Sequence, residues 1–113
     1  MHEMALTESL VGIVADEAGK LGVGRVRLVR LEIGAMANVE PEALRFCFDV
    51  ATRGTVADGA DLDIISIPGQ GWCFDCGKFV PMFERLGGCP ECGQSRVQVT
   101  GGEEMRVKEL EVD

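Results

Sequence analysis

The sequence contains one histidine, His2, few aromatic residues and no long hydrophobic run. Five Phe and one Trp are the only aromatic residues, so the core must be mainly aliphatic. No window approaches the roughly 18 to 20 apolar residues that a membrane helix needs, and no basic stretch precedes an apolar run near the start. We therefore expect neither a membrane span nor a secretory signal, and a cytoplasmic protein.

Basic residues are also scarce. The chain has 11 Lys and Arg against 19 Asp and Glu, a formal net charge of -8, which disfavours attraction to nucleic acid or to an anionic membrane. We expect no nucleic-acid and no membrane partner, and proteins or cations instead.

The single histidine is terminal, and no nucleophile, base and orienting group occur in a suggestive arrangement. The sequence therefore predicts a protein that is not an enzyme.

Two segments have helical periodicity. Residues 4–21 place Leu6, Leu10, Ile13, Val14 and Leu21 near helical spacing and end at glycines, which predicts an amphipathic helix. A second helix is predicted from Pro41, a residue suited to the first helical position, with an apolar stripe. The stripe comprises Leu44, Cys47, Phe48 and Ala51.

Three segments predict strands, at residues 25–33, 60–68 and 103–112. The order of elements predicts an α+β fold, in which a small sheet of about three strands packs with two helices and an inserted zinc-ribbon-like module carries two CxxC knuckles. Residues 1–69 and 99–113 would form the α+β domain, and residues 70–98 the insertion. The glycines of "PGQG" (68–71) and "TGG" (100–102) would bracket the insertion as hinges.

Four of the five cysteines form two C-x-x-C pairs, Cys73 with Cys76 and Cys89 with Cys92, separated by twelve residues. Two residues between thiolates allow one tight turn to direct both sulfurs at one ion, and Gly77 and Gly93 suit such turns. A closed shell of four thiolates favours structural zinc, since a module of about 25 residues cannot bury a core of its own. A rubredoxin-like iron site and a redox-active dithiol are the alternatives.

Cys47 is separate from these pairs and lies on the apolar stripe of the second helix. We interpret it as a small buried hydrophobic residue without a function.

The first three residues, Met1, His2 and Glu3, can form a different metal site. A free α-amine, the amide nitrogen of residue 2 and its imidazole can close adjacent chelate rings, and this nitrogen-rich set suits Ni(II) or Cu(II). Glu3 either adds an amide or carboxylate ligand or caps the first helix. Glu40, which precedes Pro41, is more naturally a helix cap than a distant oxygen ligand.

Taken together, these parts resemble the HypA/HybF family of hydrogenase maturation nickel metallochaperones. The matching segments are "MHEMAL", "IGAMANVEPEALRFCFD", "GADLDI", "CFDC", "CPECG" and "GGEEMRVKELEV", which extend over essentially the whole chain. The resemblance implies nickel binding by Met1, His2 and Glu3, and structural zinc on Cys73, Cys76, Cys89 and Cys92.

The resemblance also implies a function. Members accept Ni(II) as transient cargo and pass it, with a HypB-type GTPase, into the hydrogenase large subunit, and some also serve urease. It implies a two-domain chain, which we expect to be a monomer or a weak homodimer. Without the resemblance, a zinc-ribbon adaptor and a rubredoxin-like electron carrier are the alternative functions.

Overall fold

The computed structural model describes residues 3–84 and 87–113. The elements are α1 (Glu3–Leu21), β1 (Val26–Gly34), α2 (Pro41–Ala51), β2 (Asp61–Ile67), β3 (Gly69–Cys73), β4 (Lys78–Met82), β5 (Val97–Gly101) and β6 (Met105–Val112). They form two three-stranded sheets, with strand orders β2-β1-β6 and β4-β3-β5. The predicted α+β class, both helices and the three predicted strands are confirmed. No helix within the described ranges is long and apolar enough to cross a membrane.

The chain divides into two compact units. The first comprises residues 1–31, 39–64 and 107–113, and the second comprises residues 32–38 and 65–106. The second unit contains the predicted insertion, residues 70–98, and is larger than it because flanking strand residues belong to the same compact body.

In the first unit, α1 packs against α2. The buried stripe of α1 consists of Glu3, Thr7, Leu10, Val14 and Ala18. The predicted stripe was wrong at Ile13 and Leu21, which are 50% and 61% exposed. Spacings of three and four residues keep the buried stripe narrow, so Ile13 falls beside it. The helix ends as predicted, where Gly22 takes a φ of 70° and Val23 N–H donates to the carbonyl of Ala18.

The start of α2 is capped by Glu40, whose carboxylate accepts from Glu42 N–H at 3.1 Å, and Pro41 follows. The predicted cap is therefore confirmed. Leu44 and Phe48 are buried, whereas Cys47 is only partly buried, so the stripe is narrower than predicted.

In the second unit, β3 pairs antiparallel with both β4 and β5. The glycines predicted as hinges belong to these strands, because Gly69 and Gly71 lie in β3 and Gly101 in β5. A Cβ at Gly69 would lie 2.5 Å from Met36 Cγ, and one at Gly71 would lie 2.6 Å from Val97 Cγ1. Gly69 and Gly71 are therefore needed for close packing of β3, a role that the prediction of hinges did not include.

Candidate metal centre

The four paired cysteines meet in the second unit. Their Sγ atoms all lie within 4.8 Å of one another. The Cys73 and Cys92 sulfurs are 3.6 Å apart, and those of Cys76 and Cys89 are 3.9 Å apart. Tetrahedral Zn–S bonds of about 2.3 Å place neighbouring sulfurs about 3.8 Å apart. The four thiols therefore match the size and the ligand chemistry of a tetrahedral metal site.

Two similar turns direct the sulfurs. In the first, Gly77 N–H donates to the Cys73 carbonyl at 2.8 Å, and in the second, Gly93 N–H donates to the Cys89 carbonyl at 2.9 Å. Both glycines have positive φ, 65° and 76°, a conformation that costs other residues free energy. The predicted role of these two glycines in the knuckle turns is confirmed.

Backbone N–H groups point at the sulfurs. Cys76 N–H donates to Cys73 Sγ at 3.3 Å. Glu91 and Cys92 N–H donate to Cys89 Sγ at 3.4 and 3.5 Å. Such donors stabilise thiolate, the form that binds metal.

The thiols have unequal acidity. The backbone N–H of Cys92, assisted by that of Glu91, lowers the pKa of Cys89 to about 7. Hydrogen bonding to the thiols of Cys92 and Cys73 raises the pKa of Cys76 to about 12. Closely spaced thiols cannot all ionise unless a cation offsets their charge, so metal binding must displace protons from this cluster.

A small apolar core surrounds the sulfurs. Cys73 and Cys89 are buried together with Met36, Val80 and Met82. Met36 comes from the segment that follows β1, and its N–H donates to the Gly102 carbonyl at 2.8 Å. Sequence reasoning missed Met36, because nothing in its own segment links it to the distant cysteines.

An ion pair joins the two knuckles. Lys78 Nζ lies 2.8 Å from Glu91 Oε1, and this contact raises the pKa of Lys78 above its ordinary value. The positive charge also lies near the thiols of Cys76 and Cys89, where it offsets part of the thiolate charge. The only sequence signal for this ion pair was the position of Lys78 directly after Gly77, the glycine of the first knuckle turn.

The predicted nickel residues are described only in part. Met1 and His2 lie outside the described residues. Glu3 begins α1 and is 8% exposed. Its Oε2 accepts from Glu40 N–H at 3.3 Å, and its carbonyl accepts from Thr7 Oγ1 at 2.7 Å. The Glu3 side chain is thus held at the start of α2, where the helix dipole favours a negative charge.

Comparison with known proteins decides the family. Residues 1–112 match the family model described as "Hydrogenase/urease nickel incorporation, metallochaperone, hypA". The chain belongs to the HypA family. It is 54% identical to the hydrogenase maturation factor HypA of Methylocella silvestris and 53% identical to that of Dechloromonas aromatica, over 100% of each chain. The family description concerns nickel incorporation, a maturation role and not a catalytic one.

The fold agrees with a solved HypA structure. The nickel metallochaperone HypA from Helicobacter pylori matches with a TM-score of 0.69 and 26% identity, over 99% of this chain and 97% of that chain. The predicted family is confirmed, and the four-cysteine cluster belongs to a HypA fold.

Proposed function

We propose that this HypA chain binds Ni(II) at its amino terminus and delivers it during maturation of a nickel-iron hydrogenase. The observation that carries the proposal is the family match, which begins at residue 1 and so includes the Met1, His2 and Glu3 sequence. The family is one of hydrogenase and urease nickel incorporation, and urease is a second recipient class.

The nickel ligands we propose are the α-amine of Met1, the amide nitrogen of His2 and its imidazole. Together they form two adjacent chelate rings, and a deprotonated amide favours the planar or tetragonal geometry that suits Ni(II). Protein ligation of this kind is incomplete, which permits transfer to another protein. The net charge of -8 attracts cations in general, so selectivity has to come from ligand geometry.

Glu3 supports this arrangement by anchoring the chain directly after His2. Its buried carboxylate accepts from Glu40 N–H, and its carbonyl accepts from Thr7. Because residue 3 is held in place, we infer a lower entropic cost for closing a chelate that ends next to it. We propose Glu3 as a member of the nickel site through this anchoring, through a ligand atom, or through both.

We further propose that Cys73, Cys76, Cys89 and Cys92 hold structural zinc. The sulfur spacing, the N–H donors and the buried apolar surroundings support a closed shell of four thiolates. Zinc supplies no reactive position in such a shell. Its contribution is to hold together two knuckles whose apolar core is small.

The partners we propose are a HypB-type GTPase and the hydrogenase large subunit, in the cytoplasm. The maturation role of the family supports partners of this class. The negative net charge supports association with proteins in preference to nucleic acid or anionic lipid.

Nickel titration of the zinc-loaded protein by calorimetry tests the terminal site. We expect wild type to bind one Ni(II) and His2→Ala to bind none, with unchanged zinc content and circular dichroism. Glu8→Ala is the control for a general charge effect, because Glu8 is an exposed acidic residue of α1 and its removal lowers the negative charge without removing a proposed ligand. Equal nickel binding by wild type and His2→Ala would refute the terminal site.

A further inference from the structure

A groove lies between α2 and the start of β2, within the first unit. Its volume is about 370 Å³. The buried side chains of Phe48 and Leu62 line it, together with the partly buried Ala60. The groove therefore offers an apolar surface that is open to solvent.

One aromatic ring of this groove is largely exposed. Phe46 is 69% exposed, whereas Phe48, two residues later on the same helix, is 2% exposed. Residues three and four positions apart share one side of a helix, so Glu42, Phe46 and Asp49 lie on the same side of α2. Asp61 lines the groove from β2. An exposed ring is thus set among three carboxylates.

The charge of the groove is negative. Arg45 is the one cation among the described residues that line it. Its Nη1 donates to the Leu62 carbonyl, and its Nε lies 3.8 Å from Glu42 Oε1. No cation in the described part of the chain pairs with Asp49 or Asp61. These two carboxylates are therefore available to a positively charged ligand that enters the groove.

We propose that this groove binds an arginine side chain presented by a segment of a partner protein. A guanidinium is planar, so it stacks on an aromatic ring while its N–H groups donate to carboxylates. Phe46 supplies the ring, and Asp49 and Asp61 supply the carboxylates. An ammonium group has no plane with which to stack, so arginine is favoured over lysine.

Charge complementarity separates this occupant from others. The three carboxylates repel the phosphate groups of nucleic acids and of anionic bilayers. A second copy of the chain carries the same net charge of -8. No groove residue is a proposed nickel or zinc ligand, so the proposal does not depend on nickel delivery.

Amide NMR spectra of the zinc-loaded, isotope-labelled full chain test the proposal in the absence of nickel. The protein is titrated with the peptide acetyl-Gly-Arg-Leu-Arg-Gly-amide. The same peptide with citrulline in place of arginine is the neutral control. The same peptide with lysine keeps the positive charge but lacks the planar guanidinium.

The ring is tested by Phe46→Leu, which keeps an apolar side chain but removes the aromatic surface. Phe79→Leu is the matched control, because Phe79 is also largely exposed but belongs to the second unit. We expect Phe46→Leu to weaken binding of the arginine peptide roughly fivefold, and Phe79→Leu to leave it unchanged.

The carboxylates are tested by the double variant Asp49→Asn/Asp61→Asn. Glu8→Gln/Asp16→Asn is the matched control, because it removes the same charge from exposed residues of α1 outside the groove. We expect the first double variant to weaken binding roughly tenfold or more, and the second to weaken it only slightly.

The proposal predicts saturable shifts of the amide signals of α2 and β2 with the arginine peptide, weaker binding of the lysine peptide and none of the citrulline peptide. Equal affinity for the arginine and lysine peptides, or equal losses in the two double variants, would show general attraction to a negative chain and overturn the proposal. Shifts confined to other elements, or no saturable shifts, would overturn it as well.

Discussion

A substitution of Gly34 by alanine should strongly destabilise the second unit. A Cβ on Gly34 would lie 2.9 Å from Gly102 Cα and closer still to the Gly102 carbonyl. These Gly102 atoms are all backbone, so relief requires the backbone at Gly34 and Gly102 to move apart. Three hydrogen bonds at this junction, donated by the N–H groups of Gly34, Ala35 and Met36, are each 2.8 Å long.

The expected magnitude follows from these bonds. Each contributes about 1 kcal/mol net, so their combined loss costs about 3 kcal/mol, before any strain from overpacking. The Met36 bond also holds a residue of the core around the cysteines. If zinc binding is coupled to folding of this unit, the same 3 kcal/mol corresponds to an apparent zinc affinity roughly a hundredfold weaker.

Urea unfolding of the zinc-loaded protein, followed by Trp72 fluorescence, measures the loss of stability in this unit. Competition with a chromophoric chelator measures the apparent zinc affinity. Gly12→Ala is the matched control, because a Cβ there has nothing within 4 Å and Gly12 lies inside α1. It should stabilise α1 by roughly 0.5 to 1 kcal/mol. A Gly34→Ala protein as stable as wild type would refute the packing argument.

Three further predictions concern single side chains. Cys89→Ser should lose bound zinc and the native Trp72 fluorescence, whereas Cys47→Ser should keep one zinc by elemental analysis; equal zinc content in both would contradict the site. Glu40→Ala should lower the free energy of unfolding by about 1 kcal/mol through loss of the α2 cap, and an unchanged urea midpoint would argue against that role. Arg30→Met removes an ion pair with Asp63 of 2.7 Å, so its destabilisation in urea should shrink at high salt and not stay constant.

The sequence was informative where periodicity was strong. Both helices and the strands β1, β2 and β6 follow from apolar patterns long enough to distinguish helix from strand. Strands β3, β4 and β5 have five residues each. Glycines in β3 and Pro81 in β4 weaken the strand signal, so only pairing within the folded unit identifies them.

The candidate metal site was predictable where its geometry is local in sequence and unpredictable where it depends on tertiary contacts. The spacing of the four cysteines predicted their cluster, because C-x-x-C geometry is local to each turn. The packing of Met36 and the hydrogen bond between Glu40 N–H and Glu3 depend on tertiary folding and have no local sequence signal. The exposure of Ile13 could not be predicted from periodicity either. Periodicity identifies the apolar side of a helix, but it does not give the width of the surface that packs against that side.

Blocking the α-amine tests the central claim most directly, since it changes no side chain. Zinc-loaded protein carrying a free Met1 amine, verified by mass spectrometry, is compared with the same protein acetylated at that amine, each titrated with Ni(II) by calorimetry. The proposal predicts one Ni(II) bound by the free form and none bound with comparable affinity by the acetylated form, with equal zinc content. Equal nickel stoichiometry and affinity in the two forms would contradict delivery chemistry based at the amino terminus.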